Sequence, residues 1–498
     1  MRSLTLRLVA GTIGLAALAG CAVGPNFHRP AAPATDRYTP APLPAQVGAA
    51  TGTDSPPQRL VMGAPVDGRW WTLFGSPELD ALEDEALSRN ADIEAARAAL
   101  RTAHETYLVQ RASLAPAVQF AGNAQRAKNS VTIAPPLNSG VETYTLYDGQ
   151  LNVTYVLDVF GGERRQTESV AAQAESQRFQ TEAVYLTLTT NVANTVLTLA
   201  GLNAQLQATD KIIGADRRTF DITSRQKALG EVSGADVAAA RTTLEQAEQL
   251  APPIRKQIDQ QRDLLAALLG RPPAQAPTGS LDLAGFTLPR DLPVSLPAEL
   301  VRQRPDVRAA EANVHAASAQ VGVAVAARLP SFTLDGAAGG ASAQLGDLLT
   351  TGNNLWSVTG SIAQTVFDAG ALRHKQKAAE AALAQAKAQY RSTVLGALQN
   401  TADVLQGIVA DADIMNHALA TEDAAGRSLR IAQAQFEHGQ TGALAVLNAE
   451  VAYGQAETAL AQARTARYAD TVALMQALGG GWWARNDLAA GPKGRADR

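Results

Sequence analysis

Cysteine is almost absent from this 498-residue chain: Cys21 is the only one, so no disulfide can form within one subunit. Aromatic residues make up 5%, too few to suggest an enzyme pocket lined with them. The histidines His28, His104, His315, His374, His417 and His438 are scattered without ligand spacing, and HExxH, Walker and GxSxG motifs are all missing. Four methionines and one cysteine suit no dedicated copper handling. An enzyme, a cofactor and a bound metal are therefore not expected. A dominant charge is lacking too: the net charge is -4, which advertises no basic face for nucleic acid or anionic lipid. Beyond residue 21 no stretch has the ~18 uninterrupted apolar residues of a spanning helix, so any further membrane crossing has to be made by β-strands. Gly336 to Gly340 is glycine-rich but lies in a strand pattern, where it marks close backbone approach rather than phosphate binding.

What is present is a globular composition, 46% hydrophobic, with alanine, glutamine and threonine recurring in a way that suits long, closely packed helices. At the N-terminus Arg2 and Arg7 precede an apolar stretch, Leu8 to Ala19, too short to span a bilayer. Residues 1–20 read as a secretion signal. They end in Leu18-Ala19-Gly20 before Cys21, the pattern of a bacterial lipoprotein whose cysteine is lipidated and becomes the mature N-terminus. The alternative is a chance cysteine after an ordinary signal peptide. Residues 21–66 are rich in Pro, Ala and Gly and read as an extended tether or surface-hugging arm.

The rest of the chain is one unit written twice, as residues 67–290 and 291–480, followed by a tail, 481–498. Asp92 and Pro116 answer Asp306 and Pro330 at the same spacing, and Gly230 and Gly270 answer Gly439 and Gly479 at another shared spacing. Val159-Phe160-Gly161-Gly162 answers Val366-Phe367-Asp368-Ala369-Gly370. Each copy has the order helix, proline, two alternating segments, glycine, very long helix, glycine turn, long helix. Leu151, Val153, Tyr155, Leu157 and Val159 are apolar at every second place; Val118 and Phe120, Phe332 and Leu334, and Trp356, Val358 and Ile362 repeat the pattern. Segments of about ten residues fit tilted strands crossing an outer membrane, or an ordinary soluble hairpin. Four strands cannot close a barrel, since the smallest need about eight, so spanning strands would have to be pooled between subunits. The stretch between Gly162 and Gly230 holds no proline and would reach roughly 100 Å as a helix. Two apolar stripes, Tyr390-Val394-Ala397-Thr401-Val404-Ile408 and Leu395-Leu398-Ala402-Leu405-Val409, favour a ring of helices over a simple two-helix coiled coil.

Taken in order, Cys21-Ala22-Val23-Gly24-Pro25-Asn26-Phe27, Trp70-Trp71-Thr72-Leu73-Phe74, Asn90-Ala91-Asp92-Ile93, Leu329-Pro330-Ser331-Phe332 and Ala477-Leu478-Gly479-Gly480-Gly481-Trp482 resemble the TolC-like outer-membrane efflux proteins. The resemblance is closest to their lipoprotein branch, which works with resistance-nodulation-division pumps, and covers nearly the whole mature chain. It implies a mainly α fold with β: a homotrimer with four strands per subunit in a shared 12-stranded β-barrel and a long α-helical barrel. It further implies a passive exit duct lodged in outer-membrane lipid and reaching into the periplasm, opened by a periplasmic adaptor and energised by an inner-membrane transporter. The adaptor would meet two helix turns, Gly230-Glu231-Val232-Ser233 and Gly439-Gln440-Thr441. The family commonly rings its closed pore with aspartates just beyond the second turn; here those places hold Ala445 and Asn448, and the first repeat has Asp236 at the matching position. The other readings are a coiled-coil spacer lipoprotein without a pore and a lipoprotein hydrolase.

Overall fold

A computed structural model describes residues 22–31, 33–48, 57–128, 143–279 and 281–485. The signal segment 1–20, Cys21, residues 129–142 and the tail beyond residue 485 lie outside the described residues.

Helix α1, Pro77–Arg89, begins where the Ser76 hydroxyl accepts the Leu79 N–H, and α2, Ala91–Ala112, begins where Asn90 Oδ1 accepts the N–H groups of Asp92 and Ile93. Among the β-strands, β1 (Gln46–Val47) and β2 (Gln58–Met62) come first and β3 (Ala117–Lys128) and β4 (Thr143–Leu157) follow α2. Then come α3 (Gly162–Ala228), α4 (Gly234–Glu248) and α5 (Ala251–Leu268). The second half runs β5 (Asp291–Val294), α6 (Pro297–Gln303), α7 (Pro305–Ala326), β6 (Ser331–Ser342), β7 (Asn354–Ala363), α8 (Ala371–Glu437) and α9 (Ala443–Ala477). The expected mainly α fold with β is what is observed.

Both very long helices, α3 and α8, contain 67 residues. Their partners differ. Where α9 is unbroken over 35 residues, the matching stretch of the first half is split into α4 and α5 at Gln249–Leu250. The expected single long helix is corrected here, and the cause is Pro252-Pro253: each lacks the N–H a helix interior needs, and each ring crowds a preceding carbonyl.

The chain divides into two compact units. The first takes in residues 22–30, 99–178 and 309–391 and contains a four-stranded antiparallel sheet in the order β3-β4-β6-β7. The second takes in residues 31–98, 179–308 and 392–485. Its core is built on Trp70, Trp71 and Phe74, all buried, with Tyr468 edge-on to Phe74 at 5.9 Å. Small residues let α3 and α9 approach closely there: a Cβ on Gly201 would lie 2.1 Å from Thr465 Oγ1, and one on Gly454 would lie 2.6 Å from Ile212 Cγ1. In α8 the stripe Val394, Ala397, Thr401 and Ile408 is buried, while Leu395 on the neighbouring stripe is 67% exposed. The second stripe thus remains partly uncovered within one protomer, as a helix meeting neighbours on several sides requires.

Part of the N-terminal stretch does more than extend. In the second unit β2 pairs in parallel with β5 and antiparallel with β1. Gln58 is fully buried; its amide donates to Pro289 O at 2.9 Å, and its Oε1 accepts from the buried guanidinium of Arg467. Residues 58–62 are therefore structural, which the compositional reading of 21–66 as a tether did not disclose.

Candidate membrane face and helix-turn sites

Alternation along the strands becomes chemistry through register. Val118 lies opposite Val153 and Phe120 opposite Leu151; Leu157 lies opposite Phe332, Phe332 opposite Ile362, and Ala338 opposite Trp356. Because side chains alternate between faces, these residues share one side of the sheet. Gln119, Asn152, Ser357, Thr154, Asp335 and Thr359 share the other, and Thr154 Oγ1 donates to Asp335 Oδ1 at 3.0 Å. The apolar side is open: Phe120 is 70% exposed, Trp356 76% and Val358 69%. So large an exposed apolar patch is unusual on a soluble surface and is what strands facing hydrocarbon require. Among the described residues no helix is long and apolar enough to cross a membrane. Gly339 fits the close-approach reading, since a Cβ there would lie 2.2 Å from Gly149 O.

Immediately after Cys21 the chain is fastened to the first unit. Val23 N–H donates to Phe160 O at 3.0 Å. Arg165 spans the segment, donating to Val23 O at 3.1 Å and to Asn26 Oδ1 at 2.6 Å. Phe27 stacks on His315 at 4.4 Å, and Arg29 pairs with Glu311. Gly24, at φ +90°, touches Gly322; a Cβ on it would come 2.4 Å from Gly322 Cα, so no other residue fits without displacement. Glu168 receives Arg165 and His315 together, at 2.8 and 2.9 Å. Burial works against its ionisation, yet these two hydrogen bonds hold its carboxyl below the usual range. Sequence reasoning noted Val23 to Phe27 only as part of a family pattern; the Gly24–Gly322 contact joins positions too far apart in the chain for local pattern to reveal.

The two helix turns are built alike, with one difference. Gly230 and Gly439 take positive φ, 81° and 69°, and each helix closes through a backbone bond from the next residue, Glu231 N to Gln226 O and Gln440 N to Gln435 O. At the first turn Ser233 and Asp236 form a capping box: the Asp236 carboxylate accepts the Ser233 N–H and Oγ–H at 2.8 and 2.7 Å. These bonds hold the Asp236 carboxyl below the usual range. At the second turn the cap is Gly442, which supplies no side-chain bond. Val232 and Thr441 are half-buried, and Glu231 is exposed, as are Ala445 and Asn448, which stand one turn apart on α9. Behind the turns, in the same unit, Lys211 pairs with Glu457 at 2.6 Å and Arg218 pairs with Glu450, tying α3 to α9.

A family description, outer membrane efflux protein, matches residues 82–271 and again residues 296–480. The pyoverdine export outer membrane protein OpmQ of Pseudomonas putida is 30% identical over 452 residues, covering 90% of this chain and 95% of that protein. The probable efflux pump outer membrane protein TtgC of the same species is 28% identical over 470 residues, 94% of each chain. Among solved structures, the outer-membrane channel OprN superposes with a TM-score of 0.79 at 27% identity, covering 93% of this chain and 100% of its own. With the doubled match, the fold and the open apolar face in agreement, the chain belongs to the outer membrane efflux protein family and is a transport protein rather than an enzyme.

Proposed function

We propose that the protein is a homotrimeric exit duct of a tripartite efflux system, whose three four-stranded sheets close a 12-stranded barrel in the outer membrane above a long α-helical barrel in the periplasm. The observation that carries this is the sheet with one continuous, exposed apolar face and two unpaired edges, β3 and β7. Four strands leave backbone donors and acceptors that hydrocarbon cannot satisfy, so closure has to come from further copies. The apolar face meets lipid, and the face bearing Gln119, Asn152, Thr154 and Asp335 lines water. A lipidated Cys21 adds a second hold, a reading supported by the fastening of Val23–Arg29 to the first unit. The turns at Gly230–Ser233 and Gly439–Thr441 meet a periplasmic adaptor, a resistance-nodulation-division transporter supplies the energy, and Asp236, Ala445 and Asn448 mark the pore constriction. One relative is named for pyoverdine export and another for an efflux pump; in this reading cargo is chosen by the transporter and not by the duct. The pore-free coiled-coil reading has no use for the open apolar face.

Deleting the gene in a strain stripped of related channels should raise sensitivity to some toxic small molecules, and the wild-type chain should restore resistance. Leu151→Arg should fail to restore it, since this side chain lies on the apolar face between Phe120 and Ala338 and a cation on the lipid face costs about 2–4 kcal/mol near the bilayer centre. Ser357→Arg, on the opposite face, should succeed. Unchanged sensitivity across a broad panel on deletion would refute the export role; restoration by both variants would refute the assignment of faces.

A further inference from the structure

The repeat inside one chain contains the geometry of the contact between chains. The two hairpins are equivalent: β3–β4 sets Ala117 opposite Thr154, and β6–β7 sets Ser331 opposite Ala363. Ala117 and Ser331 each follow the proline that opens the strands, Pro116 or Pro330, so they correspond, and their partners Thr154 and Ala363 correspond in turn. The helices agree. Gly162, the start of α3, and Ala371, the start of α8, hold the same spacing, as do the positive-φ glycines Gly161 and Gly370 and the turn glycines Gly230 and Gly439. This corrects the pairing of Val159-Phe160 with Val366-Phe367, which is two residues out of step: Val366 stands in the place of Leu157.

Inside the chain the halves join through β4 and β6, with Thr154 opposite Asp335 and Leu157 opposite Phe332. The corresponding junction one repeat further on lies between β7 and the β3 of the next copy, and the strand directions make it antiparallel like the rest. Resting on the trimeric barrel of the preceding section, we propose that β7 pairs with β3 of a second copy in one register: Ala363 opposite Ala121, the counterpart of Asp335, with Ile362 opposite Gly122 and Val358 opposite Arg126.

Three observations support it. The register keeps the faces consistent, joining Ile362 and Gly360 to Gly122 and Ala124 on the side that carries Phe120 and Leu151, while Arg126, which meets Val358, lies close to the end of β3 at Lys128. It also accounts for the early end of β7. The strand stops at Ala363, whereas β4, flanked on both sides, continues to Leu157; the continuation of β7, Val366 and Phe367, is left 95% and 88% exposed. In this register Val366 falls opposite Val118 of the next copy, itself 66% exposed, so both are covered and β7 lengthens to match β4.

Disulfide trapping in outer membranes tests this. Gly122→Cys/Ile362→Cys and Ala121→Cys/Ala363→Cys, two adjacent pairs of which one is the closer, non-hydrogen-bonded kind, should on mild oxidation give reducible dimers and trimers on denaturing gels. Pairs shifted by two residues, Phe120→Cys/Ile362→Cys and Ala124→Cys/Ile362→Cys, should cross-link about tenfold more slowly, as expected for diagonal neighbours. Each single-cysteine chain, matched for its amount in the membrane, serves as control. Fastest cross-linking by a shifted pair would overturn the register and leave the shared barrel standing. No cross-link in any β3–β7 combination, with normal membrane levels, would overturn both.

Discussion

Glu83 is completely buried on α1, and neither of its carboxyl oxygens makes a hydrogen bond of ordinary geometry, only a weak approach from the Ala193 backbone. Burial, with Asp84 and Asp80 adding to it, pushes the carboxyl well above its usual value and so favours the neutral acid. The unfolded chain would ionise this group near 4.5, so the native state binds the extra proton. Stability is then complete at low pH and declines as pH rises toward the raised value, by at most about 1.4 kcal/mol per unit. Glu83→Gln keeps the shape and removes the proton. Its thermal midpoint should fall less between pH 5 and pH 8 than that of the wild type and should be higher at pH 8; parallel curves would contradict a buried neutral acid. Asp470 belongs to the same class. Burial and the neighbouring Asp411 push its carboxyl up to about 7 against the opposing pull of Arg467.

At the scale of elements, the first helix turn is locked where the second is not. Ser233→Ala removes the side chain that caps α4 and frees Asp236, and a lost cap of this kind costs about 1 kcal/mol. Hydrogen exchange of the amides at the start of α4 should rise several-fold in that variant, with those at the start of α9, capped only by Gly442, unchanged. These turns were legible in sequence because Gly230 and Gly439 each precede a clear helix start. The long helices, the strands and the doubling were legible for a similar reason: periodicity and spacing are local or repetitive signals. The break at Gln249–Leu250 was available in Pro252-Pro253 but was masked by the expectation that both halves be alike. Other features had no local signature at all. The pairing of β2 with β5, the Arg467–Gln58 bond and the seating of Gly24 on Gly322 join distant parts of the chain, and a polar residue such as Gln58 in a short strand gives no sign of full burial. Position in a pore is of this kind as well, since it depends on copies that one sequence does not display.

For the whole assembly, a constriction ringed by carboxylates would attract multivalent cations into a narrow throat. Ala445 and Asn448 supply no such charge, and the Asp236 carboxylate is engaged by Ser233. The reconstituted channel should therefore be only weakly blocked by trivalent cations added from the periplasmic side. Asn448→Asp should tighten the block about tenfold or more, given three symmetric charges in a low-dielectric passage. Single-channel recording decides the matter: tight block of the wild type, unaltered in Asn448→Asp and in Asp236→Asn, would place the charge elsewhere.

The identical length of α3 and α8, 67 residues each, has a consequence for how such a chain can change over time. A length specified twice resists drift. Seven residues added to α3 alone would extend it by about 10 Å while α8 kept its old reach, and every copy in the assembly would inherit the mismatch. Height is thus inherited as a paired character. A taller or shorter duct of this design calls for both helices to change in step.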